Sequence, residues 1–234
     1  MTSPIPVNIF PDVAPRLNVA EVDVVEGAAG PGRRFVVWLQ GCLKRCPGCA
    51  NGPFLPLRPA VALGVEDLLS ALETAMPLDG ITLSGGEPTL QAAPLLPLLD
   101  GARLRGLSVF CYSGYTREEL SAPSQAPELR EFLARLDWLV DGEYQAALPR
   151  GGLYRPTSNQ ALHRLSPSKN HDGQPPAETE CVLREGLWTI TGTLPETVRR
   201  RMDEALRDLG LSVFSPTSRT SSPSNVFGLG KEER

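Results

Sequence analysis

The chain has 234 residues, with 23 Lys and Arg against 27 Asp and Glu for a net charge of −4. Its 41% hydrophobic and 21% charged content is that of a globular chain of one substantial domain plus an appendage, not of a disordered or fibrous one. The slight negative balance leaves no electrostatic footprint for nucleic acid, and no apolar run approaches the ~20 residues of a membrane span.

Five cysteines, three of them clustered, point to a reducing compartment rather than a disulfide scaffold. The N-terminus lacks the basic flank and apolar stretch of a secretory leader, so the expected location is the cytoplasm. Residues 1–16 carry Pro4, Pro6, Pro11 and Pro15 and read as an extended lead-in. Leu17 to Val25 alternates apolar and polar residues, the pattern of a strand at a sheet edge. After the loop Gly27–Gly32, the short apolar run Phe35 to Leu39 reads as a buried parallel strand.

Directly after that run come Cys42, Cys46 and Cys49, a CX3CX2C spacing. Thiolates are soft ligands that suit zinc, Cu(I) or iron–sulfur clusters. A structural zinc site wants four ligands, usually in two close pairs. Here Cys111 and Cys181 are distant, and the two histidines are His163 and His171. A cubane cluster is normally held by four thiolates, so three leave one iron open for a ligand. Next, Val65, Leu68, Leu69, Leu72 and Met76 form a helical stripe. Ile81 to Leu83 is a short strand, and it runs into Ser84-Gly85-Gly86-Glu87-Pro88. Paired glycines let a backbone approach a ligand, and the carboxylate beside them can accept from an ammonium.

The cysteine triplet after a strand, followed by Gly85-Gly86-Glu87-Pro88, resembles the radical S-adenosylmethionine (SAM) superfamily. The resemblance implies that Cys42, Cys46 and Cys49 hold a 4Fe-4S cluster whose open iron chelates SAM. It implies that Gly85, Gly86 and Glu87 hold the methionine end of SAM. The local wording Gly30-Pro31-Gly32-Arg33, Val36-Val37-Trp38, Gln40-Gly41-Cys42 and Pro47-Gly48-Cys49 resembles the activating enzymes of glycyl-radical proteins, in particular the activator of anaerobic ribonucleotide reductase. Ala50 stands where those activators usually carry an aromatic residue. The implied fold is α/β, an incomplete parallel (β/α) barrel of the radical SAM type with a small C-terminal α+β appendage.

Pro88 to Arg105 is leucine-rich but carries Pro94, Pro97 and Gly101, a helix that must break or kink. Ser108 to Tyr112 is a strand, with Cys111 a buried packing residue. Ser113 to Thr116 follows at the site end; Ser113 and Tyr115 either line the pocket or form the turn that enters a helix. Leu129, Phe132, Leu133 and Leu136 form another helical stripe. Trp138 to Tyr144 is a strand breaking into a turn, where Asp141 either binds ribose hydroxyls or caps the turn. Arg155 to Gln160 resembles a polar segment of the activators, with Pro156 and Thr157 in place of Gly and Ser. By that resemblance Ser158 and Asn159 touch SAM; otherwise they form a polar loop before a strand at Ala161 to Leu165. His163 reads as a surface or packing residue.

The expected domain layout is a lead-in at 1–16, a radical SAM core at 17–166, a linker at 167–180, an appendage at 181–214 and a disordered tail at 215–234. The appendage is expected to be a hairpin, Cys181–Arg184 and Leu187–Thr191 around Glu185-Gly186, then a helix from Pro195 to Leu209. Three classes of function compete. The first is an activase that places a glycyl radical on a partner protein, fed by an external low-potential electron donor. The second is direct radical catalysis on a peptide or small molecule. Enzymes of that class often carry an auxiliary cluster, and here only Cys181 lies in the C-terminal part. The third is a non-catalytic iron–sulfur protein, against which the Gly85–Glu87 floor argues. No nucleic-acid or membrane partner is expected, and no protein acid or base is needed beyond cluster and SAM.

Overall fold

The computed structural model describes residues 3–12, 16–167, 179–184 and 187–192, together with 200, 201, 204, 205 and 208. Seven strands build one sheet: β1 (Leu17–Glu26), β2 (Arg33–Leu39), β3 (Val61–Leu63), β4 (Gly80–Gly85), β5 (Ser108–Tyr112), β6 (Trp138–Asp141) and β7 (Ala161–Arg164). Their order is β3-β1-β2-β4-β5-β6-β7. The neighbours β2, β4, β5 and β6 are parallel, whereas β1, β3 and β7 run antiparallel to their partners. The sheet is therefore mixed and open, with a parallel centre and antiparallel flanks. Four parallel strands bring four C-terminal ends to one side, the side on which open α/β sheets place their ligands.

Helices α1 (Val65–Thr74), α2 (Ala92–Leu104), α3 (Arg117–Leu120) and α4 (Pro127–Ala134) supply the crossovers. α2 packs between α1 and α4. Strand alternation sorts the residues between two faces. Phe35, Val37, Leu39, Ile81, Leu83, Val109, Cys111 and Leu139 join Leu68, Leu72, Leu95, Leu98, Leu99 and Phe132 in the main core. On the opposite face, Val36 and Trp38 pack with Val25, Ala28 and Ala29.

That opposite face also buries a cation. Arg34 is fully enclosed. Its Nε donates to Thr82 Oγ1 at 2.6 Å, and its terminal nitrogens donate to Ser108 Oγ at 2.9 Å, the Ser108 carbonyl at 2.9 Å, the Pro31 carbonyl at 3.1 Å and the Ile81 carbonyl. These acceptors are neutral, so the hydrogen bonds are made but the charge is not cancelled. Burial pushes the guanidinium down to about 10.

Several sequence expectations change in the structure. β1 is not an edge strand, because β3 covers its free side over Leu17 to Val19. β2 is parallel only to β4 and antiparallel to β1. α1 ends at Thr74, so Met76 lies beyond it and is 45% exposed. The break expected in Pro88–Arg105 falls at its start: Pro88–Gln91 is one 3-10 turn, and α2 then continues through Pro97. Pro94 costs little, because the first turn's N–H groups have no intrahelical acceptor. The lead-in straps across the start of α2, with Ile5 buried, Ile9 N donating to the Leu90 carbonyl at 3.1 Å and the Val7 carbonyl accepting from Ala93 N at 3.2 Å. A separate antiparallel hairpin of β8 (Thr179–Arg184) and β9 (Leu187–Gly192) forms where expected. Its turn Glu185-Gly186, most of the linker, most of the Pro195–Leu209 helix and the tail lie outside the described residues.

Arg34 generates a test with a defined sign. Below about pH 10 the folded and unfolded chains both hold its proton, and the full cost of the buried charge is present. Above about pH 10 the folded chain holds fewer protons than the unfolded one, so this contribution stabilises it progressively as pH rises. Urea unfolding of wild-type and Arg34→Met protein at pH 8 and pH 11 is expected to move the stability difference toward wild type at pH 11, by on the order of 1 kcal/mol.

Candidate functional site

The site sits where β2, β4, β5 and β6 end. Beyond β2 the chain turns at Gly41 into the cysteine loop. Cys42 is buried and Cys46 and Cys49 are half-buried, and all three are free thiols. Burial pushes the thiols of Cys42 and Cys49 up. Metal binding needs thiolates, so occupancy by iron has to release these protons.

The loop is held from two sides by backbone bonds. On one side, Gly41 N donates to the Phe54 carbonyl at 2.8 Å and Cys42 N to the Leu55 carbonyl at 3.0 Å. On the other, Gly86 N donates to the Leu39 carbonyl at 2.6 Å and Glu87 N to the Gly41 carbonyl at 2.8 Å. The Gly85–Glu87 turn is thus stitched directly onto the strand and loop that carry the cysteines. The two glycines are required by that contact. A Cβ on Gly86 would lie 2.2 Å from the Gly41 carbonyl oxygen. A Cβ on Gly85 would lie 2.4 Å from Leu39 N, and Gly85 has φ +98 as well.

A buried amide triad extends the same scaffold. Asn18 N donates to Gln91 Oε1 at 2.8 Å, Gln91 Nε2 donates to the Asn18 carbonyl at 3.1 Å and the Gln40 carbonyl at 3.3 Å, and Gln40 Nε2 donates to the Pro56 carbonyl at 2.7 Å. Asn18 further binds the Arg58 carbonyl and Ala60 N through its own amide. Neither Asn18 nor Gln91 stood out in the sequence. The signal for Gln91 is a lone amide inside a run of Leu, Ala and Pro, where burial obliges it to find partners.

Glu87 is 1% exposed. Its Oε1 accepts from Thr89 N at 3.1 Å, Thr89 Oγ1 at 2.7 Å and Ser113 Oγ at 3.0 Å, and its Oε2 accepts from Gly114 N at 2.7 Å. Desolvation pushes this carboxyl up, and the four donors pull against that shift. Glu87 therefore ties the β4 turn to the β5 turn, with Ser113 as the link. Thr116 N-caps α3, as its position after the strand suggests.

Asp141 ends β6 one residue past the Tyr112–Val140 pairing, beside Ser113; it is 4% exposed, accepts from Arg117 N at 2.6 Å and has His163 Nε2 3.1 Å from its other oxygen. That second contact is an ion-pair approach rather than an aligned hydrogen bond. Ser158 is exposed, with its N–H donating to the Pro149 carbonyl at 2.8 Å. Asn159 Nδ2 donates to the Glu143 carbonyl at 2.8 Å. Of the residues singled out, the structure gathers the cysteines, Gly85, Gly86, Glu87 and Ser113 in one layer. Asp141 stands at the neighbouring strand end beside Ser113 but is engaged by Arg117 N and His163, Asn159 lines the cleft, and Ser158 is exposed.

A cleft of about 380 Å³ opens beside the cysteine loop, between the ends of β5 and β6, with Lys44, Glu119, Glu143 and Asn159 among its walls. No three His, Cys, Asp or Glu side chains among the described residues are gathered so as to chelate a single metal ion. Three thiolates on one zinc must all lie ~2.3 Å from one point, whereas thiolates on separate irons of a cubane need not converge. Three soft donors on one loop, with an adjoining polar cleft, fit a cluster that keeps one iron for a ligand.

Two outcomes follow from this geometry. Gly86→Ala must push the β4 turn off the cysteine loop, so iron and sulfide per chain after anaerobic reconstitution should fall severalfold relative to wild type. Glu87→Gln keeps the shape but sets an amide NH2 against donors that now meet a carboxylate, and denaturant unfolding should show a loss of about 1–3 kcal/mol.

Comparison with known proteins agrees on the kind of cofactor. The family described as a 4Fe-4S single cluster domain matches residues 28–163, more than half of the chain. The anaerobic ribonucleoside-triphosphate reductase-activating protein of Escherichia coli K12 is 31% identical over 153 residues, covering 62% of this chain and 94% of that protein. The protein of the same name from Enterobacteria phage T4 is 30% identical over 141 residues, covering 57% and 85%. The pyruvate formate-lyase-activating enzyme of Listeria monocytogenes is 29% identical over 132 residues, covering 53% of this chain but 49% of that enzyme. The chain belongs to the 4Fe-4S single cluster domain family, among the radical SAM proteins that include the anaerobic ribonucleoside-triphosphate reductase-activating proteins.

Proposed function

We propose that this protein is a radical SAM activase that installs a glycyl radical on a partner enzyme of the anaerobic ribonucleotide reductase type. The observation that carries the reading is the stitching of the Gly85–Glu87 turn onto a loop of three free thiols, beside an open cleft. Cys42, Cys46 and Cys49 would hold the cluster, and the turn at Gly85, Gly86 and Glu87 would receive the methionine end of SAM. A reduced 4Fe-4S cluster held there would supply the electron for reductive cleavage of SAM, and through it the removal of a hydrogen atom from a glycine Cα of the partner.

The chain's own residues place and shield the reactants. Glu87 and Ser113 lock the β4 and β5 turns together beneath the cleft. Asp141 acts at one remove, fixing the start of α3 through Arg117 N. Asn159 borders the cleft, and Ser158 is exposed next to it in the same loop. The open sheet, with its parallel centre, supports the incomplete (β/α) barrel of this superfamily, leaving a side through which a partner's loop reaches the site. No helix among the described residues is long and apolar enough to cross a membrane. We assign the protein to the cytoplasm, where a reducing environment and a low-potential donor keep the cluster usable, and we retain the hairpin region as an appendage on the core.

Anaerobic reconstitution followed by SAM and dithionite should yield 5′-deoxyadenosine by mass spectrometry. Cys46→Ala should abolish it. Added anaerobic ribonucleotide reductase should then show a glycyl-radical doublet by electron paramagnetic resonance. Cleavage of SAM without that doublet would move the reading to direct catalysis on a peptide or small molecule. A full iron and sulfide load without any cleavage, partner present, would overturn the radical SAM reading.

A further inference from the structure

Lys44 lies between two of the cysteines, so its position along the chain fixes it next to whatever the cysteines hold. Its stem crosses the cleft: Cγ is 3.1 Å from the point where a Cβ on Gly114 would stand, and Glu87 Oε2 is 3.5 Å from the same point. Its ammonium donates to Glu143 Oε1 at 2.9 Å, stands 3.7 Å from Glu119 Oε1, and lies 4.3 Å from the centroid of the Tyr115 ring. The side chain is only 16% exposed, whereas that of Glu143 is 50% exposed. Lys44 is the one cation among the residues that line the cleft, and Glu119 and Glu143 are its two anions.

We propose that Lys44 is a positioning residue that leaves Glu143 to bind the α-carboxylate of SAM. This rests on the SAM reading of the site. SAM brings a carboxylate together with a sulfonium and an ammonium, and a cleft with one cation and two anions complements that pattern. The exchange is feasible because an ion pair with a half-exposed carboxylate is worth little. One carboxylate replaces another on the same ammonium, and Lys44 keeps its charge partner throughout. The Tyr115 ring holds the ammonium over the cleft during the exchange.

The test compares SAM with decarboxylated SAM, which keeps the sulfonium and the amine but lacks the carboxylate. Equilibrium dialysis against cluster-loaded protein gives the affinity ratio of the two ligands for wild type, Lys44→Met, Lys44→Arg and Glu143→Gln, with iron and sulfide measured for each. The ratio in favour of SAM should fall about tenfold or more in Lys44→Met. Lys44→Arg should retain most of it. Glu143→Gln, by removing the competing carboxylate, should raise the ratio a few fold. Iron and sulfide content identifies a variant whose loosened loop has lost its cluster, and among variants with a full cluster the ratio reports the partner of the carboxylate. An unchanged ratio in Lys44→Met would overturn the proposal and leave Lys44 as a tether of the loop. Wild type with a full cluster that binds neither ligand would overturn the SAM reading along with it.

Discussion

Two backbone hydrogen bonds, from Gly86 to the Leu39 carbonyl and from Glu87 to the Gly41 carbonyl, set the distance between the cysteine loop and the ligand floor. They extend the parallel ladder between β2 and β4 one step past the strands themselves. A ladder bond at that point brings two backbones within van der Waals contact, so neither Gly85 nor Gly86 has room for a side chain. The adjacency of β2 and β4, the buried amides that fix the end of β2, and the core beneath both strands all serve that contact. The two motifs are separate in the chain and one object in space.

Charge is distributed around that object with economy. The cysteine loop is fixed by carbonyls and amides, groups without formal charge. The single carboxylate in the layer, Glu87, is enclosed and fully engaged by neighbours. The cleft's own charges, Lys44, Glu119 and Glu143, sit at the rim. The buried cation Arg34 lies near the N-terminal ends of the strands, opposite the cleft. A site built this way keeps its skeleton when the rim charges rearrange around a ligand.

Much of this was legible in the sequence because the relevant signals are local. Phe35–Leu39, Ile81–Leu83 and Ser108–Tyr112 are short apolar runs bounded by turn residues, and each became a parallel strand ending at the site. The cysteine spacing and the Gly-Gly-Glu-Pro stretch pointed to the same family that comparison found. What was hidden is non-local. β3 has three residues, too few for any periodicity to register, so β1 looked like an edge. Lys44 pairs with Glu143, distant in sequence, so no local pattern announces the contact. Asp141 sits at a strand end like many ligand-binding acids, but its partners come from α3 and β7, which the residues around it do not announce. Likewise, nothing near Asn18 says that it will share its backbone with Gln91.

The cysteine loop makes backbone bonds to Phe54, Leu55 and Glu87. Those partners belong to the turn at Gly52–Phe54 and its cap and to the β4 turn, neither of which carries a thiol. The spacing of the three sulfurs is therefore set in part by residues that need never touch what the sulfurs hold. A substitution at such a residue would be felt as a change in the arrangement of the thiols rather than as a lost ligand.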